Sequence, residues 1–299
     1  MRWLSSEILQ KLKSNNSRMQ RNERMLQPPL TASLTDKLQA LQALLRDMNS
    51  VVVAFSGGID STLVLKVAYD TLGSHAVGVT AISPTFPDIE LDIARRVGAE
   101  IGVRHVLVET DQLEIEEFVR NDARRCYHCK TDLYRLLGKL KRDLGINCIL
   151  DGTNVDDLGD DRPGFAAARE WGVRSPLVEA ELTKADIRGL AKELGLSNWD
   201  KPAAACLSSR IPRGIAITRE KLTRVERAEA VLFREGFRQF RVRDHGEIAR
   251  IEVEADELAV LLNPAVKAVV ASKLKDLGFH FVTVDLEGYR RGSTNAGSR

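Results

Sequence analysis

The chain has 299 residues, 43% of them hydrophobic, and 44 Lys and Arg against 42 Asp and Glu give a formal net charge of +2. That length and content suffice for one large domain or two modest ones with an ample core. The balanced charge excludes a global field that would recruit nucleic acid, and no apolar run approaches the length of a membrane span. Four cysteines in a chain this long do not make a secreted disulfide framework. A cytoplasmic protein with metal-binding or catalytic thiols is the expectation.

Taken in chain order, residues 1–29 place Trp3, Leu4, Ile8, Leu9 and Leu12 at helical spacing. With two Glu among six Lys and Arg and no apolar h-region, they read as a surface helix or extension rather than a targeting segment. Residues 34–48 carry Leu38, Leu41, Leu44 and Leu45 on one face of a second helix. We therefore divide the chain into a helical extension over 1–48, a main domain over 49–214 and a smaller one over 215–299.

The main domain opens with the strand run of residues 51–55, the glycines Gly57 and Gly58, and the helix-starting Asp60, Ser61 and Thr62. A strand, a glycine turn and a helix N-terminus form an anion site, because free N–H groups and the helix dipole point at the turn. The loop Ser56, Gly57, Gly58, Ile59, Asp60, Ser61 lacks the lysine of a Walker loop and the spacing of a dinucleotide fingerprint. It resembles instead the PP-loop of ATP pyrophosphatases, which grip the β- and γ-phosphates of ATP.

Strands are expected over 76–82 and 104–109, with a helix over 87–97 between them. This alternation predicts a doubly wound parallel sheet, with ligands at the carboxyl ends of its strands. Thr80 to Ser83 should then line the same cleft as Ser56 to Ser61, near the adenine, whereas His105 reads as a structural histidine. Cys126 and Cys129 open a helix beside Arg124, Arg125 and Lys130, where the helix terminus should depress thiol pKa values. This spacing suits a soft metal, redox work or plain packing. Cys148 reads as a core residue of a strand. Asp151, Asn154 and Asp157 follow that strand, suited to magnesium, ribose or substrate, and equally to turn chemistry.

Helices are expected over 162–171 and 183–194, with a short strand over 175–178. Residues 201–214 have no period and gather Cys206, Ser208, Ser209, Arg210 and Arg213 in a loop. The smaller domain reads as α+β: a charged helix from Thr218, strands over 238–243 and 247–253, a helix over 264–277 and a last strand over 279–284. Arg241 and Arg243 share one strand face, as a solvated edge or as a clamp for phosphate and carboxylates.

Together, the segments 56–61, 151–154, 202–210 and 241–246, with Gly288, Tyr289 and Arg290, resemble the LarE family of ATP-dependent sulfurtransferases. The resemblance implies a substrate, pyridinium-3,5-biscarboxylic acid mononucleotide, whose carboxylate is adenylylated and converted to a thiocarboxylate on the way to a nickel-pincer cofactor. It implies ATP and Mg2+ at Ser56, Gly57, Gly58, Asp60, Ser61, Thr80, Asp151 and Asn154. Ser209, Arg210, Arg241 and Arg243 would hold the substrate, with Glu229 and Glu252 placed by analogy as metal or substrate contacts. Family members use either one sacrificial cysteine, matching Cys206, or three cysteines on a 4Fe-4S cluster fed by a sulfide donor. Having Cys126, Cys129 and Cys206, this chain is expected to use the cluster. The sacrificial route and a PP-loop tRNA thiolase stand as alternatives, and the oligomeric state stays open, a homo-oligomer included.

Overall fold

The computed structural model describes residues 32–158 and 163–290, so the helix read over residues 1–29 lies outside the described residues. Helix α1 (Ala32–Met48) leads into β1 (Val51–Ala54), α2 (Ile59–Leu72), β2 (Ala76–Ile82), α3 (Asp88–Ile101) and β3 (Arg104–Glu109). Helix α4 (Arg125–Asp143) and β4 (Cys148–Leu150) follow, then α5 (Pro163–Glu170) and α6 (Lys184–Glu193). The four strands form a parallel sheet in the order β3-β2-β1-β4. Alternation along β1 sends its side chains into two layers. Val51 and Val53 pack with α1, α2 and α6, and Val52 packs with Tyr134 and Leu137 of α4. Leu41 and Leu45 of α1 are fully buried in the first of these layers. This is the doubly wound α/β fold that the alternation of strands and helices predicts.

The stretch 175–178 is not a strand. Arg174 makes a single parallel bridge to Leu150, and Pro176–Glu179 then turns into helix with proline at its start, where the ring's fixed φ favours helix. A second sheet lies beyond α7 (Arg219–Arg234): β5 (Phe240–His245) and β6 (Ile248–Val253) are antiparallel, and β7 (Phe281–Val284) adds in parallel after α8 (Pro264–Asp276). Its own core gathers Leu232, Val242, Ile251, Leu274 and Phe279. Among the described residues, no helix is long and apolar enough to cross a membrane.

Candidate active site

The glycine turn at the end of β1 is built by packing and not by sequence flexibility alone. Gly57 sits at φ +68°, where a Cβ would stand 2.9 Å from the Ala94 backbone of α3. Only glycine satisfies both demands. Gly58 caps α2 without a side-chain bond. Ser61 donates its hydroxyl to Gly58 O at 3.1 Å, and the Ser56 amide donates to Ser61 Oγ at 3.2 Å. The serines hold the turn open at the positive end of a 14-residue helix.

The loop that follows β4 lies directly on this turn. A Cβ on Gly152 would stand 2.7 Å from the Ser61 nitrogen. Gly152→Ala must therefore push the phosphate loop aside, and we expect ATP-dependent pyrophosphate release to fall at least ~10-fold with little change in melting temperature. An isotope-free pyrophosphate assay on the purified variant reads this directly. Asn154 closes a capping box with Asp157 and donates to Asp60 Oδ1 at 3.2 Å. Asp151 is 4% exposed and accepts from Ser175 Oγ at 2.8 Å, Thr153 Oγ1 at 2.9 Å and Tyr134 OH at 3.2 Å.

Two residues that sequence reasoning passed over complete the loop. Lys184, the first residue of α6, places its ammonium 2.5 Å from Asp60 Oδ2. Asn198 donates to Gly57 O at 3.0 Å and to Thr62 Oγ1 at 2.9 Å, while its own buried Oδ1 has no hydrogen-bond partner among the described residues. No local pattern marks either one, since their partners lie 124 and 141 residues away. Thr80 is used differently from expectation. Its hydroxyl, 1% exposed, donates to Phe55 O at 2.6 Å and accepts from His105 Nε2 at 2.8 Å. The histidine is satisfied, as expected, and burial followed by the nearby Arg95 lowers its pKa. The strand's continuation from Ala81 to Ser83 is half-buried.

The thiols form the second half of the site. Cys126 and Cys129 stand in the first turns of α4, and Cys206 precedes the 3-10 turn Leu207–Arg210. Cys129 packs against the apolar cluster of Phe118, Leu207 and Ile211. Its pKa is not depressed. Burial, and after it the neighbouring Cys206 thiol, push it up to about 12. The expectation from the helix terminus fails because the thiol faces apolar side chains, and desolvation outweighs the dipole. Cys129 packs in one cluster with Leu207, the residue after Cys206, and Arg125, the residue before Cys126, donates to Ser208 O at 3.0 Å, so the segments that carry the three thiols meet. Among the described residues no three His, Cys, Asp or Glu side chains are arranged to hold a metal ion. At pH 8 the metal-free Cys129 should be alkylated roughly 1000-fold more slowly than an ordinary cysteine, from its thiolate fraction alone. Peptide mapping after timed iodoacetamide treatment measures this.

Lys130 links thiols to nucleotide loop. Against the burial that would lower it, Tyr134 and Asp151 hold its pKa above the ordinary value. The sequence Cys129, Lys130, Asp151, Gly152, Ser61 thus runs as a chain of neighbours from sulfur to phosphate loop.

The arginines are paired more fully than the sequence suggested. Arg210, 3% exposed, meets Glu229 through Nε and Nη2, both at 2.8 Å. Arg243 meets the fully buried Glu252 at 2.9 and 2.8 Å. Glu229 and Glu252 are therefore counter-ions of the arginines. Arg243 Nη1 also donates to Ser209 O at 2.9 Å, and Arg241 Nη2 to Ala203 O at 2.9 Å, so β5 braces the loop that carries Cys206. Arg241 differs from its neighbours: its bonds go to backbone carbonyls, its guanidinium lies 5.0 Å from the Tyr289 ring, and burial and then Arg210 lower its pKa.

Comparison with known proteins agrees with this geometry. A family model described as asparagine synthase matches residues 35–188. An uncharacterised protein of Synechocystis sp. is 44% identical over 262 residues, covering 88% of this chain and 98% of its own. The pyridinium-3,5-bisthiocarboxylic acid mononucleotide synthase of Lactiplantibacillus plantarum is 41% identical over 265 residues, 88% of this chain and 95% of its own. An uncharacterised protein of Methanocaldococcus jannaschii is 32% identical over 240 residues, 80% and 90% of the two chains. With a phosphate loop, a family model over half its length and a curated relative of this identity, the chain belongs to the LarE family of PP-loop ATP-dependent sulfurtransferases.

Proposed function

We propose that the protein adenylylates a carboxylate of pyridinium-3,5-biscarboxylic acid mononucleotide and converts it to a thiocarboxylate, in the synthesis of the nickel-pincer nucleotide. The observation that carries this reading is the 41% identity to the Lactiplantibacillus plantarum synthase over nearly the whole of both chains. Ser56, Gly57, Gly58 and Ser61 take the β- and γ-phosphates on the helix N-terminus. Asp60, whose carboxylate accepts from Lys184 Nζ and Asn154 Nδ2, is read as the Mg2+ contact once ATP is bound, since a hard cation prefers oxygen donors. Arg241, whose hydrogen bonds go to backbone carbonyls and whose guanidinium lies over the Tyr289 ring, takes the substrate phosphate. Ser209, Arg210 and Arg243 fix the loop around the substrate's carboxylates.

In the first half-reaction a carboxylate oxygen bonds to the α-phosphorus and the bond to the β-phosphate oxygen breaks, releasing pyrophosphate. Positioning and charge neutralisation by the loop dominate this step. In the second, a sulfur nucleophile bonds to the acyl carbon and AMP leaves with the carbon–oxygen bond pair. Cys126, Cys129 and Cys206 supply the sulfur side. Three thiolates are the soft donor type that a 4Fe-4S cluster takes, whereas structural zinc would require a fourth protein ligand. Such a cluster would supply sulfide carried on the iron that no cysteine holds. Within the chain, Cys206 is assigned the delivery of sulfur to the acyl carbon, and Cys126 and Cys129 would help hold the cluster.

Anaerobic purification with iron and sulfide analysis tests the sulfur source. Brown protein with about four irons per chain is the expected result. Colourless protein that loses hydrogen sulfide from Cys206 in one turnover would replace the cluster by the sacrificial route.

A further inference from the structure

The loop carrying Cys206 is tied to the start of α4 by two buried polar side chains, Asn121 and Arg125. Asn121 is fully buried in the left-handed conformation, at φ 56°. Its Nδ2 donates to Pro212 O at 2.8 Å and to Ile215 O at 2.9 Å, and its carbonyl accepts from the Gly214 amide at 3.1 Å. Arg125, 6% exposed, uses one terminal nitrogen twice: Nη1 donates to Asn121 Oδ1 at 2.6 Å and to Ser208 O at 3.0 Å. Arg125 adjoins Cys126 in the chain, and Ser208 lies two residues beyond Cys206. A single guanidinium therefore spans the elements that carry the three thiols.

We propose that Arg125, seated by Asn121, is a positioning residue for sulfur transfer: it sets where Cys206 stands relative to Cys126 and Cys129. The proposal rests on the reading that sulfur is delivered at these thiols, and it holds for either sulfur source. The physical case is one of cost. A buried guanidinium and two buried acceptors are stable only while paired, so the loop cannot drift from α4 without leaving a charge and carbonyls unsatisfied. Neighbouring bonds fix the same loop elsewhere, from the Leu207 amide to Thr85 O at 2.9 Å and from the Ile217 amide to Val119 O at 3.0 Å. Among the described residues, only the Arg125 bond reaches the turn immediately after the cysteine from the helix that carries its partners.

The test compares wild type with Arg125→Met, which keeps the aliphatic bulk and removes the donors. Cluster-free protein is given arsenite, which binds three thiols with loss of three waters, and the remaining thiols are counted. Of the four cysteines, arsenite should protect three in wild type and only the Cys126 and Cys129 pair in the variant. In the full reaction, pyrophosphate release by the variant should stay within about twofold while thiocarboxylate formation falls at least ~10-fold. A merely structural role would lower both half-reactions together with the melting temperature. If Arg125→Met does not fold, Arg125→Lys, which keeps the charge on a shorter side chain, is expected to show the same split. Protection of three thiols with undiminished transfer in the variant, or of only two in wild type, overturns the proposal. Failure of wild type to release pyrophosphate with ATP and the pyridinium nucleotide would instead overturn the proposed function, and the arsenite count would still stand.

Discussion

Cys206→Ala is expected to abolish thiocarboxylate formation, by at least ~1000-fold, while ATP-dependent pyrophosphate release continues. The separation follows from how the residue is held. The bonds that shape its turn use its backbone: Cys206 O accepts from the Ser209 amide at 3.0 Å, Ser209 Oγ at 2.8 Å and Arg210 Nη1 at 2.9 Å. Removing the sulfur leaves those bonds and the glycine turn intact, so the loop keeps its course and the adenylylation half keeps its residues. The side chain contributes chemistry only. Cys148→Ala is the control, because that cysteine packs against the core from β4 and should change neither half-reaction. Thiocarboxylate formation by Cys206→Ala within tenfold of wild type would remove this residue from the sulfur path. Quenched-flow measurement of pyrophosphate and thiocarboxylate in the same reaction gives both rates.

The second large effect is on stability. Glu229→Met should destabilise the protein by about 3–5 kcal/mol, the cost of stranding one member of a buried ion pair. Arg210 would lose both of its bonds to the carboxylate, and the Val242 amide would lose its acceptor, now at 3.0 Å. Replacing both partners, Arg210→Met with Glu229→Met, should recover much of that loss, since the net worth of a buried pair is small. Urea denaturation of the two single variants and the double variant measures the coupling. Equal stability of Glu229→Met and wild type would show that Arg210 is not held by this carboxylate.

What the sequence made legible was what depends on near neighbours in the chain. The phosphate loop could be read because a β-branched run, two glycines and helix-starting residues are consecutive, and their geometry follows from local sterics. The alternating strands and helices of the main sheet follow from the same periodicities. The stretch 175–178 misled because proline and leucine suit a short buried strand as well as a helical turn, and only the single bridge at Arg174 decides between them. The Cys129 pKa misled because a helix terminus is visible in sequence, whereas the apolar wall of Leu207 and Phe118 is not. Pairings across the fold stayed hidden for the same reason. Arg243 and Glu252 meet only through the antiparallel register of β5 and β6, in which Arg241 lies opposite Glu252 and Arg243 opposite Arg250. Lys184 reaches Asp60, and Asn198 reaches Gly57, only after the sheet has brought α6 and its following loop beside the glycine turn.

The chemistry proposed for the site makes the substrate's own oxygen the bridge to AMP, and that is open to direct measurement. With the carboxylates of the pyridinium nucleotide labelled with oxygen-18, one labelled oxygen should appear in AMP for each thiocarboxylate formed, and none in pyrophosphate. AMP without label, or label recovered in pyrophosphate, would contradict activation of the carboxylate at the α-phosphorus.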